Sequence, residues 1–344
     1  TCETGTFALS GGSPQLAKSY VLGAEAGSLA LTGNPATLEH NVRLDPVVGT
    51  FALTGGEPAL VRSYYLSGGA GTFTETGQPA TFRRTWAIQG GVGTFTLAGN
   101  PASLTELGAY EIDPIVGSFS LSGQSATLAQ SRSFAVDAGL FSLAGNPATL
   151  RRSYVLAGGT GAFALTGQPA ALADTDRLEA AAGTFALTGN QATFVRGYAL
   201  AAATGTFSFT GNAATLQAQA ALQLSAATGV FTLAGPPASL LVDRAVLVDT
   251  GAFALTGGSV AFAAGRTLLA ANAAFSLSGQ SASLLYGRAL AVDAGLFALT
   301  GNSAALAKAG NLQLIVDTGE FILTGLSATL AKTSTARRRN VLIF

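Results

Sequence analysis

A glycine followed two residues later by phenylalanine recurs along the whole chain. It starts units at Gly5, Gly27, Gly49, Gly71, Gly93, Gly117, Gly139, Gly161, Gly183, Gly205, Gly229, Gly251, Gly295 and Gly319, with Ala273 in the same place once. The spacing is 22 residues eleven times and 24 residues three times, which makes fifteen units. A chain written this way must fold by solving one short packing problem repeatedly, so the repeat outweighs every other feature.

With the first residue of each unit numbered zero, position 2 is Phe in fourteen units and Leu29 in the other. Position 4 is Leu in thirteen, Phe209 once and Glu75 once, and position 6 is Gly in all fifteen. Position 11 is always Leu or Phe, and position 17 is aliphatic or aromatic in fourteen units. The apolar residues alternate with Thr, Ala and Ser, so Gly-Thr-Phe-Ala-Leu-Thr-Gly reads as a half-buried strand. Gly-Asn-Pro or Gly-Gln-Pro then reads as a turn, with a permissive glycine and a proline that cannot join a ladder. Alternation resumes on odd positions, for example at Ala148 and Leu150. An insertion of two residues keeps every side chain on its face, whereas an insertion of one reverses them all.

Position 13 shares the inward phase, yet nine of its fifteen residues are charged: Lys18, Arg62, Arg84, Glu106, Arg152, Asp174, Arg196, Lys308 and Lys332. The pattern therefore predicts a bend or bulge near positions 13–14 that turns the charge outward. A third short segment then brings position 17 back to the core.

One unit cannot bury enough surface to stand alone, so neighbours must stack. The fold class expected is all-β, a tandem-repeat β-solenoid with one 22–24-residue unit per coil. Fifteen coils about 4.8 Å apart would give a rod of about 70 Å. The alternative is an antiparallel meander closed by oligomerisation. Residues 1–4 resemble the end of a preceding repeat, residues 5–336 form one elongated domain, and residues 337–344 are a C-terminal tail. With no initiator Met, the chain reads as a window of a longer protein.

Composition excludes several function classes. Eighteen Lys and Arg balance eighteen Asp and Glu, which leaves no global positive field for nucleic acid. One His and one Cys cannot build a zinc site, and no disulfide can form within the chain. Fourteen of the twenty Phe sit at position 2, three at position 11, one each at positions 4 and 17, and Phe344 in the tail, so no rings remain for a cofactor pocket. The motifs of hydrolases and P-loops are missing, so neither an enzyme nor a cofactor is expected. Charged residues make up only 10% and the mean hydropathy is +0.42, but polar and Gly interruptions rule out a transmembrane helix. Short strands with rings at one level argue against a membrane barrel.

Few side chains stand out from the repeat. Glu75 takes an inward position, either as a lone acid or as a tolerated defect paired with Arg62 or Arg84. Arg62, Tyr64, Arg84, Trp86, Arg152, Tyr154, Arg196 and Tyr198 could form a basic-aromatic stripe suited to glycan contact, or a solvated ridge. Asp45, Asp113, Asp137, Asp249, Asp293 and Asp317 read as turn caps rather than a calcium array. The tail Val341-Leu342-Ile343-Phe344 is either an end cap or a peptide that docks on a neighbour's sheet edge.

Runs such as the one from Gly183 to Phe194 resemble tandem repeat segments encoded in bacteriophage and proteobacterial genomes, where they often belong to virion or surface proteins. The likeness covers nearly the whole chain and carries no site residues. The unit is also similar in length to curli subunit repeats, without their Ser, Gln and Asn ladders. The resemblance implies a self-associating fibre or filament protein, extracellular or on a virion surface, whose partners are copies of itself. The alternative is a receptor- or glycan-binding fibre.

Overall fold

The computed structural model describes residues 5–17, 21–24, 26–39, 43–46, 48–61, 65–68, 70–83, 87–90, 92–105, 111–114, 116–136, 138–195, 199–217, 223–242, 245–264, 267–286, 289–308, 313–330 and 341–343. The regular elements among these residues are all β-strands. The chain divides into two compact units, Thr1–Asp174 and Thr175–Phe344. Eight repeats start in the first and seven in the second.

In the first unit, Thr6–Gly11 pairs with Ser28–Gly33, which pairs with Thr50–Gly55, and so on coil by coil. The second strands do the same, from Gln15–Ala17 to Thr37–Glu39 and beyond, as do the third strands, from Val21–Ala24 to Arg43–Pro46. Each of these pairings is parallel and joins equivalent repeat positions, as in Phe95 opposite Phe119. The second unit repeats the scheme, with Ala252–Ala264 paired in parallel to Ala274–Tyr286 along its length. Each unit is therefore a β-solenoid in which one repeat makes one coil. Parallel pairing between successive coils within each unit overturns the antiparallel meander, since hairpins can only join antiparallel neighbours.

The position-2 rings stack as a ladder inside the coils. Phe51, Phe73, Phe95, Phe119, Phe141 and Phe163 lie 4.5–5.1 Å apart and within 6° of parallel. In the second unit Phe231, Phe253, Phe275, Phe297 and Phe321 stack the same way. The ladder breaks at Phe207, which tilts 48–51° from both neighbours. Phe209 supplies the reason. It occupies the Leu position of that coil, and its ring contacts Phe185 and Phe231 at 5.9 and 5.7 Å. The added ring takes space beside the column, and the column turns to accommodate it.

The strand does not turn outward at position 13 where that residue is apolar. Val242, Ala264 and Tyr286 occupy that position, and all three are buried at the ends of strands that keep their alternation. The side chains of the nine charged residues at position 13 lie outside the described set. Apolar residues there simply extend the core. Position 19 is also inward in the second unit, filled by Ala180, Ala202, Ala226, Val248, Ala270 and Val292.

Glycine at position 6 is required by close approach rather than by backbone conformation. Gly257 has no left-handed φ, but a Cβ there would fall inside the van der Waals shell of the Gly235 carbonyl oxygen one coil away. The equivalent clash recurs at Gly55, Gly123, Gly211 and Gly301. At Gly258, one residue on, the nearest atom to an added Cβ is Pro236 Cβ at 3.3 Å. Gly257→Ala is thus expected to destabilise the second unit by roughly 1–3 kcal/mol, through forced backbone shifts. Gly258→Ala should stay within about 1 kcal/mol. Urea melts of the two variants side by side check this, and equal midpoints would contradict it.

In chain order the two-residue insertions fall between the second and third strands, for instance between Thr105 and Glu111 and between Gln217 and Gln223. Register is carried across them intact, with Ala87 opposite Glu111 and Ala199 opposite Gln223. Both flanking strands point odd positions inward, so only an even insertion fits.

Candidate functional site

Of the residues singled out in the sequence, Glu75 has the most completely described surroundings. It sits in the position-4 column between Leu53 and Leu97 and is fully buried. Its Oε1 accepts a hydrogen bond from the Thr81 backbone N–H at 3.1 Å. The same N–H reaches the Pro58 carbonyl at 3.4 Å, longer than the 3.0 Å of the equivalent bond from Thr37 to Pro14. Oε2 has no partner among the described residues. Burial pushes this carboxyl well above the ordinary range, opposed only by the Thr81 hydrogen bond. The expected pairing with Arg62 or Arg84 falls outside the described residues, since both arginines do. With leucines on both sides in the column and one oxygen unpartnered, Glu75 interrupts an otherwise apolar column.

The basic-aromatic stripe is not brought into view. Arg62, Tyr64, Arg84, Trp86, Arg196 and Tyr198 fall outside the described residues. Arg152 and Tyr154 lie on the strand Ala148–Gly158, of which only the backbone is described at those positions. Asp249, Asp293 and Asp317 are exposed and sit in the inter-coil ladder, donating their N–H groups to Ala226, Ala270 and Val292. Among the described residues no three His, Cys, Asp or Glu side chains come together. No helix there is long and apolar enough to cross a membrane, which says nothing of crossing by strands.

The tail is placed within its own chain. Val341–Ile343 pairs in parallel with Phe321–Leu323, as the next strand of the first-strand column. In this position the strand covers the edge of its own last coil. Phe344 lies outside the described residues.

Three surface features were not evident from the sequence. Position 7 forms a partial amide column: Asn100 Oδ1 accepts from Gln124 N–H at 2.6 Å, and Asn146 Oδ1 from Gln168 N–H at 2.9 Å. Beside it, each unit carries an open cleft over positions 5–7, of about 610 Å³ in the first unit and about 800 Å³ in the second. Hydroxyls such as Thr256 and Thr300 and amides such as Gln280 and Asn302 line the latter.

The third feature is the outer face of the first-strand sheets, formed by positions 1, 3 and 5. Of these forty-five residues in the chain, Glu320 alone is charged. The rest are Thr, Ser and Ala with a few larger aliphatics. At the corner before this strand, the second unit places Thr204, Thr228 and Thr250, whose hydroxyls donate to carbonyls of the preceding coil at 3.0–3.2 Å. The first unit places exposed Val48, Val92 and Val116 at the same corner.

Neither family models, nor curated proteins, nor solved structures match this chain. The functional reading therefore rests on surface and repeat.

Proposed function

We propose that the protein is a structural fibre or filament protein, displayed on a bacteriophage particle or a bacterial cell surface, and that copies of it associate through their β-repeats. The observation that carries this reading is the exclusion of charge from the first-strand face. Charge costs most where a surface is desolvated, so a solvated face has no need to exclude it. The low total charge and the resemblance to virion and surface repeat segments point the same way. The reading assigns no catalytic step. Sedimentation velocity from micromolar to millimolar concentration tests it: a rising mass supports self-association, and a single monomeric species throughout removes it.

A second reading is a glycan- or receptor-binding fibre. The uncharged clefts favour it, since rows of hydroxyls and amides repeated coil by coil suit the hydroxyls of a linear saccharide. A glycan array with the native chain and the Arg84→Ala and Trp86→Ala variants tests the stripe as the contact. Binding indifferent to both changes would remove the stripe from the account, and no binding at all would remove the reading.

A further inference from the structure

The uncharged face raises the question of what covers it. In the first unit it is four residues wide, from the corner residue through positions 1, 3 and 5, and spans the coils that start at Gly27 to Gly161. Not one residue on it is charged. Large apolar side chains collect along one margin: Val48 is 63% exposed, Val92 68%, Val116 54% and Leu140 45%. In the second unit Val230 and Leu296 are exposed on the equivalent position-1 column. Apart from Phe7, the other exposed large hydrophobics among the described residues are Leu241, Leu285 and Leu326, at positions 12 and 7. Exposed apolar groups in a contiguous patch mark a contact surface, whereas single ones do not.

We propose that this face of the first unit is a docking surface for the same face of a second copy of the chain. The proposal rests on the self-association reading and names the surface that performs it. Three observations select a second copy as the occupant. Seven strands about 4.8 Å apart, each contributing about 20 Å, give a face of roughly 700 Å². Two such faces bury about 1,400 Å², which reaches the size of a stable interface. A neutral, hydroxyl-and-methyl face is electrostatically matched by another neutral face and repels neither. The side chains also repeat at the coil spacing, so only a partner with that spacing interleaves with them along the full length. An isologous pairing supplies that match by construction.

The test compares two double substitutions in the full chain. Val92→Lys with Leu140→Lys charges the face at two coils, and Leu241→Lys with Leu285→Lys removes exposed apolar groups elsewhere. Circular dichroism checks that both fold. Sedimentation is expected to show association at least tenfold weaker for the first pair and within about twofold of native for the second. Association of the first pair at native strength overturns the face assignment while leaving self-association intact. A native chain that never associates overturns both. Should the charged variant fail to fold, hydroxyl-radical footprinting of the native protein decides. Assembly must then protect Val92, Val116 and Leu140 while Leu241 and Leu285 stay reactive, and the opposite pattern overturns the assignment.

Discussion

Phe119→Ala is expected to destabilise the first unit by about 3–5 kcal/mol, the usual cost of removing a buried ring. Phe119 is 1% exposed and stacks on Phe95 at 4.8 Å and Phe141 at 5.1 Å. Its loss leaves a void in the ladder and removes two ring contacts at once. In a stack where each coil touches only its neighbours, the damage concentrates locally and divides the coils on either side. Urea unfolding should therefore shift to lower midpoint and also broaden. Phe7→Ala provides the contrast. Phe7 holds the same repeat position but is 45% exposed, so its removal should cost under about 1 kcal/mol. Equal losses for the two would mean that stacking along the ladder is not what holds the coils.

Glu75→Leu should do the reverse and stabilise the first unit by roughly 1–3 kcal/mol, by removing a buried oxygen that lacks a partner. It also restores leucine to a column that runs from Leu53 to Leu97. The effect depends on pH with a fixed sign. Below the ordinary carboxylate range both folded and unfolded chains hold the proton, and Glu75 contributes no pH dependence. As pH rises above that range, the unfolded chain releases its proton while the buried carboxyl keeps it, so stability falls. The fall ends once pH passes the raised native value. Unfolding midpoints at pH 4 and pH 8 should thus diverge for the native protein more than for Glu75→Leu. The same pH dependence in both would place the titrating group elsewhere.

The architecture was legible in the repeat because inward positions recur at a fixed phase. Phe at 2, Leu at 4 and Leu at 11 are the columns observed, and insertions of two residues fell between strands of one parity. At position 13 the sequence shows charge in nine coils, whereas Tyr286 and Val242 show the site buried in the core when it is apolar. The glycines were read for the wrong reason. Conformation is a property of one chain segment, whereas the close approach of Gly257 to Gly235 exists only after coils stack. Glu75 was visible as an anomaly, but its partner was not, since the Thr81 N–H belongs to the backbone and carries no sequence signal. The face was obscured in the same way. Thr, Ser and Ala look unremarkable singly, and become a surface only when parallel register aligns them coil upon coil within a unit.

Cryo-electron microscopy of the full chain at high concentration tests the central claim most directly. The account predicts assemblies in which coils about 4.8 Å apart stack within each copy and the uncharged first-strand faces of two copies meet. Monomeric particles at every concentration, or assemblies in which those faces point to solvent, would contradict it.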